Sequence, residues 1–340
     1  MDGEIVGQTV DAIAGEISRS PWRGRPAKTI FFGGGTPTFL DAPSLTRLLE
    51  VVLDAHPPLA DTEITSEANP GTVDAEKFRA MREAGFNRLS LGAQSFVDSD
   101  LLMLERVHAA ADIGRAVAAA REVGFDNLNL DLMFALPRQS FAGWSENLER
   151  AIALAPEHLS LYCLTIEPNT AFYKRNLRGE LDLPDDEAQV SMYEHCVARM
   201  SDAGYLQYEI SNFARPGSEC RHNLEYWHGR EYAAYGPGAV GMVDGVRYTN
   251  LKHPLGYRSA VSAGHSAAYE SESLDAAARR TERIMLGLRL NEGLDPSGLQ
   301  LSEAALLRLV ERGWVSPDPV RVRLTPEGRH FCSEVALALM

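Results

Sequence analysis

Cysteine is scarce in this chain: four residues in 340, at positions 163, 196, 220 and 332. None stands at a CxxC-type spacing from another, so neighbouring positions supply neither a metal pair nor a disulfide framework. They read as reduced thiols in a reducing compartment. Long apolar runs are missing too. No stretch reaches the about 18 residues that a membrane-crossing helix needs, and the opening MDGEIVGQTV lacks the basic-then-apolar layout of a secretory signal. The expectation is a cytoplasmic protein with no integral membrane segment. Basic charge is also short: 33 Lys+Arg against 47 Asp+Glu leaves a formal net charge of -14. Such a surface repels phosphate backbones and anionic lipid, so nucleic acid is not an expected partner.

What is present is enough chain, 37.3 kDa of it, for one large core and a smaller second one. The most informative short stretch is FFGGGTPT at 31–38. A β-branched and aromatic run ends abruptly in Gly33, Gly34 and Gly35, which predicts a strand followed by a special turn. The Gly-Lys-Ser/Thr ending of a P-loop is missing, and so is the third glycine of the dinucleotide fingerprint. Residues without a Cβ let main-chain N–H and C=O groups approach a ligand closely. A tight strand-to-helix turn with no ligand is the alternative for an isolated glycine run.

The periodicity predicts strands over 29–32, 63–67, 88–91, 127–132, 158–164 and 207–210, with helices over 44–55, 74–84, 110–123, 141–154 and 186–203. This alternation implies an α/β fold: a parallel sheet with right-handed crossovers, read here as an incomplete, TIM-like βα barrel. The strands run out into polar residues, namely Thr36, Glu67, Gln94, Asp131, Thr165 and Glu167. In βα barrels the C-terminal strand ends face the active site, so these side chains are expected to converge. Taken singly, each also has an ordinary account as a cap or turn residue.

Beyond about residue 270 the pattern changes to helices over 274–290 and 302–311, a hairpin through 320–324 and a last helix from 326. This predicts a winged-helix-like α+β module. The expected division is therefore 1–215 for the partial barrel, 216–270 for an intervening loop region and 271–340 for the C-terminal module. Arg321, Arg323, Arg329 and His330 would suit phosphates on a wing, which raises a non-catalytic scaffold or DNA-binding reading. The net charge and the want of an Arg-rich recognition helix speak against it.

The ordered set GGGTPT, SEANP at 66–70, RLSLGAQSF at 88–96, Arg106, NLNLDLMFALP at 127–137 and LTIEPNT at 164–170 resembles the radical S-adenosylmethionine (SAM) family of oxygen-independent coproporphyrinogen III oxidases. The resemblance covers nearly the whole chain. It implies that Gly34, Gly35 and Thr36 line a SAM site and that Glu67 sits on the same SAM. Gln94, Arg106 and Asp131 match positions that in the oxidases hold a second SAM or face the substrate. SAM presents an ammonium, a carboxylate and ribose hydroxyls, which call for such carboxylates, donors and acceptors.

Within that family, His222, Asn223, Tyr226 and Trp227 form an HNxxYW signature that resembles the HemW group of heme chaperones rather than the true oxidases. The resemblance implies heme contact by these four residues. His222 can offer a neutral imidazole nitrogen to the iron, and Tyr226 and Trp227 can flank the macrocycle. Cys220 is the alternative ligand as a thiolate, and a packed Tyr-Trp pair with a hydrogen-bonded His is the ligand-free alternative. The run YGPGAVG at 235–241 resembles a further family loop that closes over the SAM pocket, with Val240 where a His is common.

One family feature has no counterpart. Radical SAM proteins hold a [4Fe–4S] cluster on a CxxxCxxC loop after the first barrel strand, and no such loop occurs in these 340 residues. The first predicted helix, 2–17, resembles the one that follows the cluster loop. A barrel lacking its first strand exposes a ladder edge, so the expectation is a chain starting at an internal methionine of a longer polypeptide; a cluster-free relative is the other reading. The function expected from these resemblances is a heme chaperone that binds heme and transfers it to an acceptor protein. The alternative is a radical SAM oxidoreductase acting on a porphyrinogen, which needs the cluster. No catalytic residue is assigned. Reconstituted anaerobically with iron and sulfide, this chain is expected to release no 5′-deoxyadenosine from SAM, and chromatographic detection of turnover would contradict the reading of the missing cysteines.

Overall fold

The computed structural model describes residues 3–340. The chain divides into two compact units, one gathering residues up to 66 with 79–86 and 220–340, the other 67–78 and 87–219. The first unit begins with the helix Gly3–Ser18; residue 2, where the periodicity starts it, lies outside the described residues. Its Val10 and Ala14 pack on Leu48 of the helix Ala42–Ala55. That second helix starts two residues earlier than its apolar pattern, because Asp41 caps it by accepting from the Ser44 N–H and Pro43 preorganises the first turn. Strand β1 (Ala27–Phe32) pairs in parallel with β2 (Pro58–Ala68), placing Thr29 beside Glu63 and Phe31 beside Thr65. The side-chain period of two therefore aims Thr29, Phe31 and Glu63 to one face.

The second unit carries β3 (Arg88–Gln94), β4 (Leu128–Phe134) and β5 (His158–Cys163), neighbours in parallel. β6 (Leu206–Gln207) and β7 (Asn212–Ala214) follow, and here the expected strand over 207–210 is corrected: β7 pairs antiparallel with both β5 and β6. Buried Glu209 is the reason. Its carboxylate accepts from the Ser211 N–H and from Asn212 Nδ2, at 2.8 and 2.6 Å, and this local bonding reverses the chain where a ladder would have continued. The helices Ala110–Glu122, Phe141–Ala153 and Asp186–Asp202 lie within a residue of their predicted spans. Trp144 is fully buried between the last two, donating from Nε1 to the Met192 carbonyl and Cys196 Sγ. Burial pushes the Cys196 thiol up to about 12, so it stays a packed thiol.

The interior of β3, β4 and β5 is unusually polar. Fully buried His158 engages Asn129 Oδ1 through Nδ1 at 2.6 Å and the Tyr208 hydroxyl through Nε2 at 2.8 Å. Since a carbonyl oxygen only accepts, Nδ1 carries the proton and Nε2 accepts from Tyr208. Burial, then the charge of Arg88, hold His158 well below the usual imidazole range.

In the remainder of the first unit, β8 (Val240–Val243), β9 (Val246–Asn250) and β10 (Ala268–Ser273) form an antiparallel sheet in the order β10-β9-β8. The periodicity missed it, although its signal was present: Asp244 and Gly245, both at positive φ, make the two-residue turn joining β8 to β9. The C-terminal region is α+β, with helices Ala276–Gly287, Glu303–Glu311 and Cys332–Leu339 around a core that includes Ile284, Leu288, Leu309, Val335 and Leu339. The expected hairpin through 320–324 is replaced by single bridges, Leu294 to Val322 and Val315 to Leu324. Pro317 and Pro319 supply no N–H for a ladder between them.

A histidine neutral in the fold and about 6.5 when unfolded binds more protons in the unfolded chain, so stability falls as pH drops through that value. The expected loss is up to about 1.4 kcal/mol per pH unit from this group. In denaturant titrations from about pH 7.5 to 5, His158→Gln should lack that component of the slope; parallel curves for the two proteins would refute a neutral His158.

Candidate functional site

The helix Arg221–Trp227 carries the HNxxYW residues and has seven residues, too few to persist on intrinsic propensity. It is held from outside, on the face of β1 and β2 prepared by their register. Glu63, 6% exposed, accepts from the Arg221 N–H at 3.0 Å and the His222 N–H at 2.9 Å. Two of the donors that a helix start leaves unmet are thereby satisfied by a carboxylate, the charge favoured at that end. The ring of Phe31 stacks on His222, centroids 4.9 Å apart and planes at 13°, and Thr29 Oγ1 lies 2.8 Å from His222 Nδ1.

One turn on, the Tyr226 hydroxyl is 3.1 Å from His222 Nε2, the i,i+4 relation that places both on one stripe of the helix. Tyr226 meets Tyr232 edge to face at 4.6 Å. Burial, followed by the neighbouring Tyr232 and Cys220, pushes its phenol up to about 12, so it is neutral. Asn223 and Trp227 share the adjacent stripe, and the Arg289 guanidinium sits 4.5 Å over the Trp227 ring, a cation–π contact. The four HNxxYW residues are thus brought together, half-buried, on one short helix. Cys220 is buried with Sγ 3.7 Å from Glu63 Oε1; a carboxylate so close disfavours the thiolate that iron ligation by sulfur requires.

The strand-end residues fall in both units. In the first, Gly34 and Gly35 are exposed after β1, and an added Cβ on either would meet nothing within 4 Å. Packing does not demand them. Gly34 is set by its φ of +82°, and the open main chain is what close approach of a ligand such as SAM needs. Thr36 is half-buried and opens the short turn Pro37–Phe39 without capping it through its side chain.

In the second unit, Glu67 is half-buried near the end of β2, and Gln94 ends β3 at a φ of +63°. The Gln94 amide folds back so far that Nε2 would stand 3.0 Å from a Cβ on Gly92. Asp131 accepts from Ser90 Oγ at 3.1 Å and Asn129 Nδ2 at 2.8 Å. Burial raises its pKa, while hydrogen bonds from Asn129, Ser160 and Ser90 and the charge of Arg88 pull it back. Arg106 is exposed, three residues past the helix Asp98–Met103, and Thr165 and Glu167 are exposed beyond β5. The residues that sequence reasoning missed are Glu63, Thr29, Phe31, Ser90, Asn129 and His158. For Ser90, Asn129 and His158 the signal was polar alternation: positions 90 and 94, then 129 and 131, then 158 and 160, stand at even spacings along their strands.

The run 235–241 is tied into the body of its unit. Tyr235 shares its hydroxyl with His56 Nε2 at 2.6 Å and Ser20 Oγ at 2.8 Å, and the Gly236 N–H donates to Glu16 at 2.8 Å. Val240, 41% exposed, opens β8 and has no ligating atom. Among the described residues no group of three His, Cys, Asp or Glu side chains could hold a metal ion. Cys196 and Cys220 are buried, Cys163 is exposed and Cys332 half-buried. The chain's own thiols therefore do not fit the three-thiolate grip of a [4Fe–4S] cluster.

Residues 4–151 match the Radical SAM superfamily and residues 274–331 the HemN C-terminal domain. The heme chaperone HemW of Bacillus subtilis is 36% identical over 318 residues, covering 91% of this chain and 84% of that protein. The chain belongs to the heme chaperone HemW family. A second member, from Mycobacterium tuberculosis strain H37Rv, is 38% identical over 316 residues, 92% of this chain and 80% of its own length. HemW of Escherichia coli K12 is 46% identical over 240 residues, 69% and 62% of the two chains. Among solved structures, the radical SAM enzyme coproporphyrinogen III oxidase (HemN) of Escherichia coli superposes with a TM-score of 0.86 over 99% of this chain and 84% of that one, at 24% identity. At that identity the likeness shows the fold, and it bears out the expected α/β class with its partial barrel and C-terminal α+β region.

For this HemW family member, Glu63→Ala should leave two half-buried amides without their acceptor, at a cost of about 1–3 kcal/mol. Hydrogen exchange at Arg221 and His222 should then accelerate roughly tenfold or more. Unchanged protection there would mean that something other than Glu63 holds the helix.

Proposed function

We propose that this protein is a heme chaperone: it binds heme as cargo and passes it to an acceptor protein. The observation that carries the reading is the HNxxYW helix, whose His222, Asn223, Tyr226 and Trp227 stand together on a strand-supported platform. His222 supplies an imidazole nitrogen for the iron, and Tyr226 and Trp227 supply aromatic surface for the macrocycle. The names carried by its relatives from Bacillus subtilis and Mycobacterium tuberculosis support the same activity. Binding and release need no bond to be made or broken within the porphyrin, so the role is compatible with a chain to which no catalytic residue is assigned.

SAM is the second proposed ligand. In the first unit, Gly34, Gly35 and Thr36 would receive it through open main chain and a hydroxyl; in the second, the family resemblance gives Glu67 to SAM and Gln94, Arg106 and Asp131 to a second SAM or the substrate, as carboxylates and donors suited to ammonium, carboxylate and hydroxyl groups. The cluster that drives radical chemistry in the superfamily does not fit the cysteines of this chain, and no step is routed through it. The porphyrinogen oxidoreductase reading depends on that cluster and is not favoured. A cytoplasmic location belongs to the proposal; among the described residues no helix is long and apolar enough to cross a membrane. The same holds for the division at 1–215, 216–270 and 271–340, of which the last is supported by the separate apolar core of residues 284–339.

Titration of the purified protein with hemin should saturate near one equivalent with a defined Soret band, and His222→Ala should shift or weaken that band. A Soret band unchanged in the variant would remove His222 as the ligand.

A further inference from the structure

Both ring nitrogens of His222 are engaged, Nδ1 with Thr29 Oγ1 at 2.8 Å and Nε2 with the Tyr226 hydroxyl at 3.1 Å. Iron needs a nitrogen lone pair, so one of these partners must give way. The two are not equivalent. Thr29 belongs to β1, and the imidazole lies flat on Phe31 of the same strand; the Nδ1 edge therefore faces the strand that supports the helix. Tyr226 belongs to the same short helix as His222 and is half-buried, so a side-chain rotation suffices to withdraw its hydroxyl. The proton positions follow from the partners. A phenol is a stronger acid than an alkanol, hence the better donor and the poorer acceptor. The consistent arrangement is Nδ1–H donating to Thr29 and the Tyr226 O–H donating to the Nε2 lone pair.

We propose that Thr29 fixes the His222 tautomer with its Nε2 lone pair outward, and that the Tyr226 hydroxyl masks this lone pair until heme iron displaces it. Thr29 is a positioning residue, acting on iron only through the ring, as the outer partners of metal-bound imidazoles do. Tyr226 is a specificity device: a ligand that cannot replace its hydrogen bond with a coordinate bond gains nothing by moving it. It also eases release, because the departing iron is replaced on Nε2 by a donor already within reach. The inference rests on the reading of His222 as the heme ligand and deepens it.

The test is hemin titration of the whole chain carrying His222→Ala, Tyr226→Phe, Thr29→Val or Thr29→Ser, with Soret position and low-temperature electron paramagnetic resonance recorded for each. Losing one masking hydrogen bond should make Tyr226→Phe bind hemin about fivefold more tightly, with the ligand signature of the parent. Thr29→Val, isosteric but without an acceptor, should bind several-fold more weakly and show altered resonance values, and Thr29→Ser should restore both. Equal or weaker binding by Tyr226→Phe, or a Thr29→Val indistinguishable from the parent, would overturn the inference while leaving His222 as ligand intact. A His222→Ala variant with the parent Soret band would instead overturn the underlying reading, and this inference with it.

Discussion

The Glu63 carboxylate, buried on β2, holds the first two amides of a helix that could not hold itself. Its charge is accommodated because two N–H donors and the favourable end of the helix face it. From that clamp the rest of the candidate heme site follows. With Arg221 and His222 fixed at the helix start, the ring of His222 is laid over Phe31 and within reach of Thr29, and the next turn brings Tyr226 to its other nitrogen. A seven-residue helix on a strand face is a weak element made definite by one polar anchor and one stacked ring.

The polar interior of the second unit obeys the same logic at larger scale. His158, Asn129, Ser90, Ser160 and Asp131 would each be costly to bury alone. As one hydrogen-bonded set they satisfy one another, with Asn129 accepting from His158 and Ser160 and donating to Ser90 and Asp131. Such a set is rigid because every member has a neighbour to lose. It leaves Asp131 half-buried, with its pKa raised by burial and drawn back by its donors.

Much of the fold was legible in the chain. The strands β1 to β5 and the long helices of the partial barrel carry strong periodicity, and their observed limits differ from the predicted ones mostly by a residue or a few. The failures have local physical causes. The expected strand over 207–210 gave way to a reversal because the Glu209 side chain bonds the backbone two residues on. The hairpin expected over 320–324 gave way to single bridges beside two prolines. The sheet of β8 to β10 has little periodicity because its strands are short, and the Asp244–Gly245 turn is its main local signal. In the site, the HNxxYW residues were legible as a motif. Glu63, Thr29 and Phe31 were not, since a buried carboxylate in a strand resembles any other polar residue until the helix that it caps, nearly 160 residues later, is placed on it.

By itself the sequence determined which residues alternate, where glycine frees the main chain, and which ordered motifs mark the HemW family, because these depend on local spacing and residue chemistry. Only the tertiary structure decided that Glu63 is the anchor of the helix, that Cys220 lies against a carboxylate, and that both nitrogens of His222 are engaged. Those are relations between segments distant in the chain, and hydrogen bonding is directional: its partners are known only when the segments are brought to within about 3 Å.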